Sequence, residues 1–201
     1  MPLRNRVTPT GELIATTSRG TLMGNRGVLH DDHRRIVRHG QTRRWIICLL
    51  EFKGRRRTVM TPHRYTELFF LDEATALAAG HRPCAECRRP EYNSYRAAWA
   101  SARRLTAPPS ADEMDLMLAA ERRARPRRGN AADLPPGSMI LVEHVPHLVL
   151  GTSVARWTPS GYVDPGPLPT GEVPILTPET TIDALRAGYL PVLHSSTPSS
   201  S

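Results

Sequence analysis

The sequence is poor in cysteine and has no long apolar run. Its three cysteines, Cys48, Cys84 and Cys87, make a poor disulfide framework, and two of them stand only three positions apart, which suits a soft metal ion better. No stretch approaches the roughly 18 apolar residues that cross a bilayer, and residues 1–14 lack the apolar stretch of a signal peptide. We therefore expect a cytoplasmic protein with no membrane partner.

Lysine is almost absent, because Lys53 is the only lysine among 27 basic residues. The formal net charge is +8, and arginines attract phosphates and release counterions on binding, so DNA or RNA is a candidate partner. A codon bias towards Arg, Ala and Pro explains the same skew, and arginines at a helix C-terminus also complement the helix dipole. The candidate nucleic-acid contacts are Arg55, Arg56, Arg57, Arg103, Arg104, Arg122 and Arg123.

The sharpest chemical signal is the pair Cys84-x-x-Cys87. Two thiolates at this spacing can bind one tetrahedral ion at about 2.3 Å each. A thioredoxin-like redox pair begins a helix directly after a strand, whereas this pair follows a predicted helix that Asp72 caps and Gly80 ends. The sequence therefore favours a metal over a redox function. Cys48 lies in the apolar run 46–50, which predicts a small buried hydrophobic side chain.

Residues 69–88 carry a resemblance to a known family. Phe69, Phe70, the alanine-rich stretch 74–79 and Gly80-His81-Arg82-Pro83-Cys84-Ala85-Glu86-Cys87 resemble the second half of the N-terminal zinc-binding domain of Ada-type DNA-repair methyltransferases. The resemblance implies a zinc-binding domain, zinc as the cofactor, DNA contact, and Cys84 and Cys87 as the second pair of zinc ligands. The family's first pair, one member of which accepts a methyl group from DNA, has no counterpart, so methyl transfer does not follow.

Two thiolates do not close a structural zinc site, and imidazoles are the candidate further ligands. His63 lies just before the predicted aromatic strand and is the candidate third ligand. His30 or His33 could supply the fourth, and the intervening Asp31 and Asp32 could orient the ligating ring. For each histidine a solvated or hydrogen-bonded role remains an equal alternative. His81 is adjacent to the pair, where packing is the favoured role.

The order of the patterns predicts an α+β fold, with a small antiparallel sheet and flanking helices around a zinc knuckle, plus a β-rich C-terminal segment. Predicted strands include 44–52, 55–60, 65–70, 139–143 and 147–150, and predicted helices are 72–79, 91–105 and 111–125. The predicted parts are an Ada-like zinc-binding domain at 1–106, a linker and basic helix at 107–134, and the β-rich segment at 135–201.

Three functions stay open at this point. The first is a zinc-binding protein that contacts nucleic acid through an arginine-rich surface. The second is a zinc-dependent hydrolytic enzyme with an open coordination position, although a nucleobase deaminase is disfavoured because Tyr65 stands where the H-x-E motif after His63 needs glutamate. The third is a structural zinc module for protein contacts. Neither catalytic residues nor an oligomeric state follows from the sequence.

Overall fold

The structure, a computed structural model, describes residues 1–54, 58–124 and 126–198. Within these residues the chain forms two six-stranded sheets and four α-helices, which confirms the predicted α+β class. The helices are α1 (Glu73–Ala78), α2 (Arg89–Ala102), α3 (Ala111–Glu121) and α4 (Glu179–Arg186). The strands are β1 (Arg4–Val7), β2 (Leu13–Ala15), β3 (Leu22–Asn25), β4 (Ile46–Cys48), β5 (Leu68–Phe70), β6 (Arg82–Pro83), β7 (Arg127–Asn130), β8 (Met139–Val142), β9 (Val145–Val149), β10 (Ser153–Thr158), β11 (Gly161–Pro167) and β12 (Glu172–Ile175).

The first sheet has the strand order β2-β1-β5-β3-β4-β6. It differs from the predicted antiparallel sheet because β1 pairs with β5, and β4 with β6, in parallel. Strands β4 and β5 are shorter than the predicted ranges 44–52 and 65–70. The predicted edge strand at 55–60 lies partly outside the described residues, since 55–57 are not described.

The second sheet has the order β11-β10-β9-β8-β12-β7, and all of its pairings are antiparallel. Five of its strands come from the predicted β-rich C-terminal segment, which is thereby confirmed. The sixth, β7, comes from the stretch predicted as a linker and basic helix. It pairs with β12, whose partner on the other side is β8.

Helix α1 lies between the two sheets, and this position explains its alanine-rich sequence. All six of its residues are buried. Leu77 packs in the core cluster of the first sheet, whereas Ala74 and Ala78 pack with Trp157 and Tyr162 of the second sheet. A short helix with small side chains on both faces lets both layers approach closely. Asp72 caps its start, as predicted, by accepting a hydrogen bond from Thr75 N at 2.9 Å.

The largest core cluster draws on all three predicted parts of the chain. It contains Leu77 of α1, Tyr95 of α2, Met114 of α3 and Leu185 of α4. Helix α3 begins with the predicted capping box, in which Glu113 N donates to Ser110 Oγ at 3.3 Å and Ser110 N donates to Glu113 Oε2 at 2.7 Å. Burial against common partners therefore ties the helices to the first sheet.

Candidate metal centre

The parallel pairing of β4 and β6 is the element that builds the site. Ile46 lies opposite Arg82, and Ile47 lies opposite Pro83. Cys84 N then donates to Ile47 O at 2.9 Å, which extends the pairing by one residue. Because the strands run in the same direction, Cys48 at the end of β4 comes to lie beside Cys84.

The turn after β6 brings Cys87 back towards Cys84. Arg88 N donates to Cys84 O at 3.2 Å, and Glu86 N donates to Cys84 Sγ at 3.4 Å. The second contact is typical of a backbone amide that stabilises negative charge on sulfur. Helix α2 begins directly afterwards, so the pair lies between β6 and a helix start, and the prediction that α1 leads directly into the pair is wrong.

The Sγ atoms of Cys48, Cys84 and Cys87 all lie within 4.8 Å of one another. Sulfurs that share a tetrahedral zinc ion at about 2.3 Å lie about 3.8 Å apart, so small side-chain rotations complete the arrangement. Cys48 and Cys84 are buried and Cys87 is partly buried, and all three are free thiols. The three cysteines could therefore hold a metal ion.

The three thiols shift one another's acidity. The hydrogen bond with Cys48, and then that with Cys87, lowers the pKa of Cys84 well below the ordinary thiol value. The hydrogen bonds to Cys84 and Cys87, together with burial, raise the pKa of Cys48. A divalent cation bound by the three sulfurs would replace their thiol protons.

A cavity of about 270 Å³ opens beside the three sulfurs. Apolar side chains, including Ile46 and Phe69, form much of its wall. Asn25 and Glu67 add polar atoms, and Glu67 is itself held by a hydrogen bond from Met60 N at 2.8 Å. The cavity therefore offers space for a further ligand beside a metal that the cysteines hold.

The histidines predicted as ligands lie elsewhere, since the group of described residues that could hold a metal ion consists of three cysteines and contains no histidine. His30 is buried, and its ring nitrogens contact Thr66 Oγ1 at 2.6 Å and Thr61 O at 3.2 Å. His33 is exposed. His63 is also exposed, and its Nε2 lies 3.7 Å from an oxygen of Asp32. The structure thus brings the predicted Cys84 and Cys87 together without these three rings.

Cys48 is the site residue that the sequence interpretation missed. Its burial matches the prediction, but its thiol also belongs to the group of three cysteines that could hold a metal ion. Only a weak indication of this role was present in the sequence: Cys48 lies in a predicted apolar strand, and such a strand could lie next to the segment that leads into Cys84. A single sequence shows which segments form strands, but it does not show which strands are neighbours.

The predicted nucleic-acid contacts divide into three groups. Arg103 lies 3.3 Å from Asp183, and Arg122 donates to Gly80 O at 2.7 Å, so both are used within the fold. Arg104 and Arg123 are exposed. Arg55, Arg56 and Arg57 lie outside the described residues. Contact with nucleic acid stays a prediction.

The fold and the site define a mixed α+β protein with a three-cysteine site. In comparisons with family models, curated proteins and solved structures, none matches this chain. The resemblance to Ada-type zinc domains therefore also stays a prediction. No helix in the described ranges has both the length and the apolar character that crossing a membrane requires.

Proposed function

We propose that the protein binds one zinc ion through Cys48, Cys84 and Cys87. The observation that carries this proposal is the mutual approach of the three sulfurs to within 4.8 Å. Thiolates are soft ligands that favour zinc among the common divalent ions of proteins, and a tetrahedral ion accepts three of them. The cavity beside the sulfurs would leave room for a water molecule or another small ligand to complete the tetrahedron.

The first test is the metal content of untagged protein, followed by replacement of zinc with cobalt. Cobalt bound to thiolates gives sulfur-to-metal charge-transfer absorption whose intensity rises with the number of thiolates. We expect one metal ion per chain and an intensity that fits three thiolates. Metal-free protein that also fails to take up added zinc or cobalt would overturn the proposal.

The Cys48→Ser variant tests whether the proposed zinc ion has three cysteine ligands or only two. Loss of a direct ligand should exceed the roughly 10- to 100-fold loss of affinity that follows removal of a residue that only supports a ligand. We expect a loss of this size, with weaker charge-transfer absorption. Cys48→Ser protein that holds zinc like the parent would show that Cys48 only packs.

The sequence-predicted histidines provide matched comparisons. His30→Ala, His33→Ala and His63→Ala proteins should keep the metal and the cobalt spectrum, since these residues lie outside the cysteine group. A variant that loses both would instead identify its histidine as the fourth ligand.

A second candidate function is a zinc-dependent hydrolytic reaction, and the cavity is the observation that favours it. Three protein ligands with one open position is the usual arrangement of catalytic zinc, which then activates a bound water. Three thiolates leave net negative charge at the ion, so the bound water should ionise at a higher pH than on zinc held by neutral histidines.

Two measurements test this candidate. An added anion such as azide should change the cobalt spectrum when a position is open. The zinc protein should also hydrolyse an activated ester at a rate that rises with pH and is lost in Cys48→Ser. A cobalt spectrum that ignores azide, with no hydrolysis, would leave zinc binding intact and assign the zinc a structural role.

A further inference from the structure

Among the described residues, three arginines are almost completely buried, and two of them have a carboxylate partner. Arg82 donates two hydrogen bonds of 2.8 Å to Asp115, and Arg88 donates bonds of 2.8 and 3.0 Å to Glu73. This is the ordinary way in which proteins bury a guanidinium group. The third, Arg26, follows a different pattern.

Arg26 has no exposed surface, and its charge is not neutralised within the described part of the chain. Its Nε donates to His81 Nε2 at 3.2 Å, and its Nη1 donates to Gly11 O at 2.9 Å and lies 3.2 Å from His39 Nε2. Its Nη2 has no hydrogen-bond partner among the described residues. The contacts of Arg26 are therefore neutral acceptors, and its guanidinium carbon lies 3.9 Å from the centre of the Trp45 ring.

A second cation stands close to the same indole. The guanidinium carbon of Arg122 lies 4.1 Å from the centre of the Trp45 ring, and its Nη atoms donate to Gly80 O and Arg43 O. Burial, and then the charge of Arg122, lowers the pKa of Arg26 to about 9. Burial likewise lowers the pKa of Arg122 to about 10. Two partly desolvated cations thus share one aromatic ring without an anion between them, which is a costly arrangement.

The surrounding rings supply no negative charge. Burial, followed by the charges of Arg26 and Arg122, lowers the pKa values of both His39 and His81, so both rings are neutral at pH 7. His81 Nδ1 lies 3.2 Å from Ala76 O, which assigns the proton to Nδ1 and leaves Nε2 to accept from Arg26.

This group borders a cavity with a volume of about 700 Å³. Gly11, His39, Trp45 and Arg122 line the cavity. A Cβ atom on Gly11 would lie 3.9 Å from both Arg26 Nη2 and His39 Nε2, so the unpartnered Nη2 lies directly behind this wall.

Further arginines surround the mouth of the cavity, and its carboxylates already have partners. The exposed Arg43 and Arg123 add positive charge. Glu121 accepts hydrogen bonds from Thr180 N and Oγ1, and Glu179 lies 3.0 Å from Arg127. Asp115 and Glu121 offset part of the charge of Arg122, whereas no carboxylate of the described residues offsets the buried charge of Arg26.

We propose that this cavity binds a phosphate monoester, whose oxyanion is held by Arg122 and the arginines at the mouth and is stabilised by the buried charge of Arg26. A dianionic phosphate supplies the negative charge that the group lacks, and several N–H donors can share its oxygens. A volume of about 700 Å³ accommodates the organic part of the ester.

The test is a titration of the wild-type protein in phosphate-free buffer, followed by calorimetry and thermal unfolding. The probes are inorganic phosphate, adenosine monophosphate, and a short single-stranded oligonucleotide with and without a 5′-phosphate. Sodium chloride at the same ionic strength is the control for screening. We expect saturable heat and a rise in melting temperature with phosphate or the monophosphate, because a ligand that binds only the folded state stabilises it.

The oligonucleotide arm distinguishes the source of the phosphate. Tighter binding of the 5′-phosphorylated strand than of adenosine monophosphate would assign the cavity to the end of a nucleic-acid strand. Equal or weaker binding would assign it to a small ester. If neither phosphate nor any ester binds at millimolar concentration, the proposal is overturned.

Two variants test the residues, and a third is their control. Arg26→Met and Arg122→Met should each weaken binding of the monophosphate at least tenfold. Arg156→Met, which removes an exposed arginine of β10, should leave it unchanged. If Arg26→Met does not fold, Arg122→Met alone tests the proposed binding of the phosphate monoester. Unchanged binding in Arg122→Met would overturn the proposal.

Discussion

At the scale of single residues, charges in this molecule are buried in two ways. Arg82 and Arg88 each face a carboxylate through paired hydrogen bonds, whereas Arg26 faces neutral acceptors and an indole. Removal of one partner from a buried ion pair leaves the other charge stranded without water. Removal of a cation that has no anionic partner leaves no buried charge unpaired.

This difference makes a prediction about stability. Arg82→Met should lower the free energy of unfolding by about 3–5 kcal/mol, because Asp115 is left buried and unpaired. Arg26→Met should lower it by clearly less, despite equal burial. Urea denaturation in phosphate-free buffer measures both changes.

The exposed Arg156–Asp164 pair provides the control for this comparison of stabilities. Arg156→Met removes only a surface contact, so its effect should stay within about 0–1 kcal/mol. An Arg26→Met loss as large as that of Arg82→Met would contradict the view that Arg26 has no counter-charge among the described residues.

At the scale of elements, features set by local sequence were predicted best. Asp72 caps α1, Ser110 opens α3 with its capping box, and Gly80 adopts a φ of 80° after α1. Each of these depends on neighbours within a few residues, where side-chain chemistry and backbone geometry are coupled directly.

Features that depend on distant segments were not predictable in the same way. The pairing of β4 with β6 joins residues separated by β5 and α1, and it decides that Cys48 is beside Cys84. The sequence therefore indicated two of the three cysteines in the site. The remaining one required knowledge of which strands lie side by side.

The capping box of α3 makes a testable prediction at this scale. Ser110→Ala removes the hydrogen bond to Glu113 N and should cost about 1 kcal/mol of stability. The backbone and side-chain hydrogen bonds with Ser110 lower the pKa of Glu113, so the contribution of Glu113 is present above the ordinary carboxyl pKa and is lost as the pH falls through the lowered value.

Denaturation at neutral and acidic pH measures this change. Ser101→Ala, at an exposed position of α2, is the control and should change stability by less than about 0.5 kcal/mol. A Ser110→Ala protein as stable as the control would show that packing alone sets the start of α3.

At the scale of the whole molecule, the hydrophobic clusters form without the cysteines, although Cys48 and Cys84 are themselves buried. None of them belongs to the three hydrophobic clusters found in the described residues, and these clusters span both sheets and all four helices named above. The protein thus differs from small zinc fingers, which bury too little to fold without metal.

Chelation of the proposed zinc should therefore lower stability without abolishing folding. Zinc present at about a thousand times its dissociation constant contributes about 4 kcal/mol through linkage. For a chain of this length its removal corresponds to a fall in melting temperature of roughly 10 °C. A scan with and without chelator measures the fall, and loss of the cooperative transition would instead show that the metal is needed for folding.

Nucleic-acid contact makes the other prediction at this scale. The exposed Arg104 and Arg123 are the described candidates, and the net charge of +8 favours a polyanion. If these residues contact phosphates, affinity for DNA or RNA should fall steeply with salt, and Arg104→Gln with Arg123→Gln should reduce the salt slope by about one per lost contact. Fluorescence anisotropy measures both effects, and binding that ignores salt would exclude this contact.

The neighbouring positions of Cys48 and Cys84 have a mechanical consequence. A zinc ion shared by these two residues would close a loop of chain that contains β5 and α1, and would so act as a cross-link that a chelator removes. The entropy of loop closure grows only slowly with loop length, by about 0.6 kcal/mol per doubling. Insertions between residues 49 and 67 should therefore leave the strength of this cross-link almost unchanged, whereas a pulling force across it should meet more resistance with the ion bound than from the β4–β6 pairing alone.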